Sequence, residues 1–476
     1  EYSSLPLGLA KFTSSNTRTP PASFRTSVSM SISSKRQTIV LSETSELPKV
    51  DFDGFDTKAI HTGFRPDPVT GSRDVPIYQT TSFVFRDCEH GAALFGLNEA
   101  GPIYSRLTNP TVEVLQKRIA ALEGGVASTC TSCGHAAQIM ALYALMTAGD
   151  TIVCANRLYG GTIQQMSRTI LKFGWKADFV DVDDIAAVKA ALAKPNVKGL
   201  FVESLTNPGG VVSDLKALAD AAHEVGVPLL VDNTLGTPYL CRPIEHGADI
   251  VIHSTTKFIS GHGSAMGGCI VDGGKFDWKQ NDKFPSLSQP EPGYNGTVFA
   301  DKFGPAAFTL FQHAVGLRDL GSCLTPMNAW LTLNGLETLS LRMERHCQNA
   351  LEIAQWLEKH PKVKWVSYPV LSGNKYKALA DKYMSGKGGA VLTFGVNGGF
   401  EEVKKMANSV QLFSLLANLG DVRSLIIHPA STTHSQLTPE QKEKAGAADD
   451  TIRLSVGIES VADLIKDLEC ALKSLP

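Results

Sequence analysis

The strongest constraint on this chain is a rhythm. Short apolar runs of strand length alternate with stretches of helical period. Residues 151–154, 177–180, 199–202, 228–231 and 249–252 are apolar runs bounded by polar or turn-forming residues, and they read as buried strands. Between them, residues 111–123 set Val112, Leu115, Ile119 and Leu122 on one helical face. Residues 214–225 repeat that spacing, with Asp214 at the expected cap. Strands that alternate with helices predict a mainly parallel sheet covered on both faces. Such a sheet holds ligands beyond the carboxyl ends of its strands.

The rhythm breaks at residues 272–303, a Gly/Pro/aromatic stretch with Pro285, Pro290, Pro292 and Gly293 that reads as a long ordered loop. A helical pattern follows at 325–360. Strand-like runs at 363–366 and 390–394 and a helical run at 401–409 then predict a smaller C-terminal α+β domain. No internal repeat is found.

Charge narrows the function classes. Forty-five Lys+Arg stand against 47 Asp+Glu, a formal charge of −2, which lacks the basic field that nucleic acid or a membrane surface demands. The longest apolar run, 136–146, contains Gln138 and is too short to span a bilayer. Nine scattered cysteines read as free thiols of a reducing compartment. The first 40 residues carry 15 Ser/Thr, five Lys/Arg and one acid, which fits either an organelle transit peptide or a disordered tail. The expected location is accordingly the cytoplasm, or a plastid or mitochondrion if residues 1–50 address the chain there.

Two strings carry the chemistry: Val231-Asp232-Asn233-Thr234 and His253-Ser254-Thr255-Thr256-Lys257. Each follows an apolar strand, so one sheet edge can deliver both to one crevice. A buried carboxylate must be paired or hydrogen-bonded. A lysine amine forms a Schiff base with an aldehyde cofactor, and an aspartate keeps a pyridine nitrogen protonated, so pyridoxal phosphate (PLP) calls for both. Ser254 and Thr256 offer hydroxyls to its phosphate. Thr131-Ser132-Cys133-Gly134-His135 leads into the apolar helix, whose N–H groups form an anion cradle that glycine lets a phosphate approach. Cys130 and Cys133 form a C-x-x-C, but no second Cys/His pair stands at ligand spacing, so no metal is expected.

Over residues 56–475 the chain resembles the Cys/Met-metabolism PLP enzymes, the cystathionine γ-synthase-like group. The matching strings are Tyr104-Ser105-Arg106-Leu107-Thr108-Asn109-Pro110, Tyr159-Gly160-Gly161-Thr162, Glu203-Ser204 through Asn207-Pro208, the two strings above, His428-Pro429-Ala430-Ser431-Thr432-Thr433-His434, and Arg453-Leu454-Ser455-Val456-Gly457-Ile458-Glu459. The resemblance implies an aspartate-aminotransferase-like α/β fold (fold type I), with a mainly parallel seven-stranded sheet and a smaller C-terminal domain. It implies an arm at 51–108 reaching a neighbouring subunit, a PLP domain at 109–321 that includes the insert 273–303, and a C-terminal domain at 322–476.

It also implies roles. Lys257 is the Schiff-base lysine and proton shuttle, and Asp232 partners the pyridine nitrogen. Tyr159 stacks on the ring, and Asn207 lies near the ring hydroxyl. Gly134 and His135 bind the phosphate through backbone N–H groups. Tyr104 and Arg106 serve the neighbouring subunit's phosphate, in a dimer of dimers. Arg453 holds the substrate carboxylate. His428 and His434 brace the carboxylate-binding loop. Tyr159 and Tyr104 are candidate helpers at the γ-carbon. Cys133 departs from the usual serine, a change that backbone contacts survive.

Within the family, the insert 273–303, the run Ala417-Asn418-Leu419-Gly420-Asp421 and the run 336–346 resemble the O-acetylhomoserine sulfhydrylases, and Gly161 stands where methionine γ-lyases tend to carry cysteine. Asn418 joins Arg453 as an expected substrate contact. The implied reaction is γ-replacement on O-acetyl-L-homoserine by sulfide or methanethiol. The same scaffold leaves open a methionine γ-lyase, a cystathionine-forming enzyme, and an acetyl, succinyl or phosphoryl leaving group. A non-catalytic binding protein of this fold is the reading from another class, against which the intact Lys257, Asp232 and Arg453 weigh.

Overall fold

The computed structural model describes residues 52–475 except 209, 434, 436–437, 439–445 and 447. The expectations for residues 1–50 and for His434 lie outside the described residues.

Seven strands form the larger sheet: β1 (Ala127–Thr131), β2 (Thr151–Ala155), β3 (Lys176–Val180), β4 (Val197–Glu203), β5 (Leu229–Asp232), β6 (Ile250–His253) and β7 (Gly268–Asp272), in the order β1-β7-β6-β5-β4-β2-β3. All neighbours are parallel except β7, which runs antiparallel between β1 and β6. The five strands expected from apolar runs are β2 to β6, and the sheet is mainly parallel as the sequence implied.

The two strands not anticipated have physical reasons. β1 reads Ala-Ser-Thr-Cys-Thr, which no hydropathy argument calls a core strand. Two of its three hydroxyls find backbone partners that allow burial: Ser128 donates to the Gln116 carbonyl at 2.8 Å and Thr131 to the Cys133 carbonyl at 2.9 Å. β7 lies in a Gly-rich neighbourhood without the preceding helix that marks the others.

Helix Pro110–Glu123 begins with Asn109, whose side chain accepts from the Thr111 N–H, has proline at its first position, and ends at Gly124 in the left-handed region (φ 78°). Its buried stripe includes Val112, Leu115, Ile119 and Leu122. Helix Gly134–Leu145 is apolar nearly all round and sinks beside β6 and β7.

A second sheet has the order β10-β11-β12-β9-β8, from β8 (Val363–Ser367), β9 (Val391–Val396), β10 (Ser414–Leu415), β11 (Leu425–Ile427) and β12 (Thr451–Ser455). It has its own apolar cluster around Phe394, Ile452, Leu454, Leu464 and Leu468. The cluster around the first sheet runs on through Leu333, Leu336, Leu339 and Met343. The expected single pattern at 325–360 is two helices, Pro326–Leu336 and Leu339–Leu357. Among the described residues no helix is long and apolar enough to cross a membrane.

The stretch 272–303 is more than a loop. Short helical turns at Pro285–Ser288 and Phe299–Phe303 carry an aromatic cluster in which Phe284 and Phe299 are fully buried. Trp278 stacks on Phe308 at 5.6 Å and meets Phe284 edge-on at 5.3 Å. The expectation of order holds, and burial of aromatic rings supplies it.

Candidate active site

Three adjacent parallel strands end at one level. The β4–β5 register pairs Glu203 with Asp232, and β6 ends at His253, one residue before Ser254. Beyond these ends lies a cavity of about 310 Å3 whose lining includes Gly134, His135, Tyr159, Asn207, Asp232, Ser254, Thr256, Lys257, Asn418 and Arg453. Ten of the twelve residues singled out from sequence thus share one space.

The other two, Tyr104 and Arg106, do not line it. Tyr104 is 42% exposed, and the Arg106 guanidinium lies 5.3 Å from its ring centroid.

Lys257 follows β6 by a short turn. Its Nζ donates to Asn418 Oδ1, and burial, then the nearby Arg453 charge, push the amine down to about 8. Gly420 makes that approach possible: at φ 76°, a Cβ there would fall 2.6 Å from the Phe258 nitrogen and 3.1 Å from Lys257 Cα.

Arg453, on β12, is buried. Its Nη1 donates to Asn207 Oδ1 at 3.1 Å and its Nη2 to the Asn418 carbonyl at 2.8 Å, while Nε has no partner. Burial pushes its pKa down to about 10. Among the described residues Arg453 has no carboxylate partner, and such a buried guanidinium can receive an anionic guest.

Asp232 is held from both sides. Gln138 Nε2 donates to Oδ2 at 3.1 Å, and the Thr234 N–H donates to Oδ1 at 3.0 Å. Behind the strand ends, buried Glu123 accepts from Asn233 Nδ2 at 2.8 Å and is 2.6 Å from His253 Nε2. Glu203 accepts the N–H groups of Tyr159 (2.6 Å) and Asn207 (3.3 Å). Burial, then the Asp232 charge, hold the Glu203 carboxyl well above the usual range.

Helix Gly134–Leu145 starts at the cavity, and Cys133 gives it no side-chain cap, which leaves N–H groups that can receive an anion. A Cβ on Gly134 would sit 2.8 Å from Ser254 Cβ, so only glycine lets this turn close on the Ser254 segment. The Thr256 hydroxyl is engaged with Gly267, donating to its carbonyl at 3.1 Å and accepting its N–H at 3.0 Å. Tyr159 stacks on His135 at 5.8 Å, and burial keeps that imidazole below its ordinary pKa. Gly161 permits the stack, because a Cβ there would meet Tyr159 at 2.5 Å and His135 at 2.9 Å. His428 does not line the cavity: its Nδ1 lies 2.9 Å from Ser431 Oγ and its Nε2 2.9 Å from the Asp449 carbonyl.

Sequence reasoning passed over Gln138 and Glu203 as site residues. Gln138 is the one amide in an otherwise apolar helix, a signal that a polar target lies opposite. Glu203 ends a buried strand as Asp232 does, and the same argument from buried carboxylates applies to it. Cys130 faces Cys269 across the β1–β7 pair, and all nine cysteines are free. Among the described residues no group of three His, Cys, Asp or Glu could hold a metal ion.

A fold type I sheet with a buried lysine, an aspartate and a helix N-terminus around one cavity defines a class of PLP enzymes. The chain belongs to the Cys/Met metabolism PLP-dependent enzyme family, whose sequence profile matches residues 56–473. It is 51% identical over 426 residues to a homocysteine synthase of Schizosaccharomyces pombe, covering 89% of this chain and 99% of that protein. It is 49% identical over 429 residues to an O-acetyl-L-homoserine sulfhydrylase of Leptospira meyeri, covering 88% and 97%. The crystal structure of a putative O-acetylhomoserine (thiol)-lyase from Campylobacter jejuni, which contains N'-pyridoxyl-lysine-5'-monophosphate, superposes with a TM-score of 0.85 at 41% identity, covering 88% of this chain and 99% of that one. Pyridoxal 5'-phosphate is the cofactor of the family. The cavity fits it: a lysine amine of depressed pKa, a carboxylate fixed by Gln138 and Thr234, and a glycine-opened helix start stand around one space.

Proposed function

We propose that this chain catalyses γ-replacement on O-acetyl-L-homoserine, with sulfide or methanethiol as nucleophile, giving L-homocysteine or L-methionine and acetate. The observation that carries the reading is the convergence of the Lys257 amine, the Asp232 carboxylate and the Arg453 guanidinium on one cavity. The names and identities of the relatives support the choice of substrate.

Bound PLP supplies an electron sink for bonds at the substrate's α-carbon. The residues of the chain do the rest. Arg453 takes the substrate carboxylate as a two-pronged ligand, through Nε and the Nη hydrogens not given to Asn207 and Asn418. Asn418 orients the Lys257 amine through its side chain and Arg453 through its carbonyl, so one residue sets both ends of the substrate. Lys257 moves protons at the α- and β-carbons, for which an amine poised near neutrality is suited. Tyr159 covers the ring face and stands by the leaving acetate. Gly134, His135 and Ser254 hold the phosphate. Asp232 keeps the pyridine nitrogen protonated, aided by Gln138.

Tyr104 and Arg106 complete the neighbouring subunit's site, presented by an arm at 51–108, in a dimer of dimers. Their distance from this chain's own cavity and the exposure of Tyr104 are consistent with that assignment.

The test is purified holoenzyme and its Lys257→Ala variant. The wild type should show the visible band of lysine-bound cofactor, and acetate release should depend on sulfide. Persistence of the band in Lys257→Ala would sink the assignment. Thiol-independent 2-oxobutyrate and ammonia would identify a lyase instead.

A further inference from the structure

The run 336–346 drew notice in the sequence, yet none of its residues reaches the cavity. The structure gives that run another use. Arg342, His346 and Asn349 lie at i, i+4 and i+7 on helix Leu339–Leu357, hence on one face, and all three are buried. Each binds backbone carbonyls beyond the helix. Arg342 Nη1 donates to the Phe258 carbonyl at 2.7 Å, and Nη2 donates to those of Ile259 (3.3 Å) and Gly335 (2.7 Å). His346 Nδ1 donates to the Val456 carbonyl at 2.7 Å. Asn349 Nδ2 donates to the carbonyls of Gly457 (3.0 Å) and Glu459 (2.9 Å).

These carbonyls belong to two segments. Phe258 and Ile259 directly follow Lys257, while Val456 and Gly457 follow Arg453 by three and four residues. Phe258 also meets the His346 ring edge-on at 5.4 Å. The segments touch again at Gly420, which lies on Lys257 and whose N–H donates to Ser455 Oγ at 3.0 Å. No carboxylate is among the hydrogen-bond partners of Arg342 in the described residues: besides those carbonyls, its Nε donates to Thr338 Oγ1 at 3.3 Å. A buried cation is a costly device for mere packing, and a rigid fork across three carbonyls is suited to fixing backbone.

We infer that this helix face is a gauge: Arg342, His346 and Asn349 are positioning residues that set the separation between the Lys257 amine and the Arg453 guanidinium, and so match the site to ligands carrying both an α-amine and an α-carboxylate. The inference rests on the proposed roles of Lys257 and Arg453. Donors toward the Arg453 side should matter for carboxylated ligands and be silent for plain amines.

The experiment titrates holoenzyme with L-norleucine and with n-pentylamine, its decarboxylated counterpart, reading the visible band of the bound cofactor. His346→Leu removes the donor to Val456. His346→Asn restores it, because Asn Nδ2 takes the place of the imidazole Nδ1. Asn349→Leu is the independent variant, should His346→Leu not fold. The expected result is norleucine binding weaker by roughly tenfold, the size of one lost positioned hydrogen bond. Pentylamine binding stays unchanged, and His346→Asn recovers most of the loss. Equal weakening of both ligands, or none, overturns the gauge. Absence of the lysine-bound band in wild-type protein overturns the underlying reading instead.

Discussion

Replacing Gly420 by alanine tests the architecture around Lys257 most directly. The new Cβ would lie 2.6 Å from the Phe258 nitrogen, 2.9 Å from the Lys257 carbonyl carbon and 3.1 Å from Lys257 Cα. All three are backbone atoms, so no side chain can rotate away. The left-handed conformation costs a residue with a Cβ about 1–2 kcal/mol. Forcing extra volume into a packed site costs about 1–3 kcal/mol more. The expected loss is therefore about 2–5 kcal/mol, read as a shift in urea midpoint at unchanged slope. The strain falls on Lys257, and if that residue reacts as proposed, a displacement near 1 Å should reduce turnover by about 10²-fold. Gly373→Ala is the control: its φ is 81°, but nothing lies within 4 Å of the added Cβ. It should lose about 1–2 kcal/mol and keep full turnover. If Gly420→Ala is no less stable than Gly373→Ala and equally active, the contact between Gly420 and Lys257 is not what holds the lysine in place.

Gly134→Ala should weaken cofactor binding by more than roughly tenfold, measured by equilibrium dialysis, because its Cβ would meet Ser254 Cβ at 2.8 Å. Phe284→Ala should cost about 3–5 kcal/mol by denaturant titration, since the ring is fully buried in the aromatic insert; a loss near zero would return the insert to the status of a loop. In cofactor-free protein the Lys257 amine is depressed to about 8, so the unfolded chain binds more protons between that value and the ordinary lysine range. Stability should therefore rise with pH across that window, and Lys257→Met should remove that part of the rise.

The parallel strands were legible because all their side chains are buried, which leaves continuous apolar runs. β1 was not, because two of its hydroxyls are satisfied by Gln116 and Cys133 carbonyls that no sequence pattern announces. The ten cavity residues foreseen lie in strings tied to strand ends, where topology brings distant positions together. Gln138 and Glu203 escaped notice because each makes its functional contact to another side chain or to backbone N–H groups. Arg342 escaped as well: three of its partners are carbonyls, and every residue type supplies the same carbonyl.

The partition between the two neighbouring carboxyls on β4 and β5 has an electrical consequence. Burial raises the Glu203 carboxyl well above the usual range, which weakens the negative charge set against Lys257 and Arg453 across the chamber. In the proposed reaction, phosphoester, carboxylate and hydrosulfide all arrive as anions, and all three favour a chamber with less negative charge. If the site acts as proposed, phosphate or sulfate in the medium should compete with each of the three.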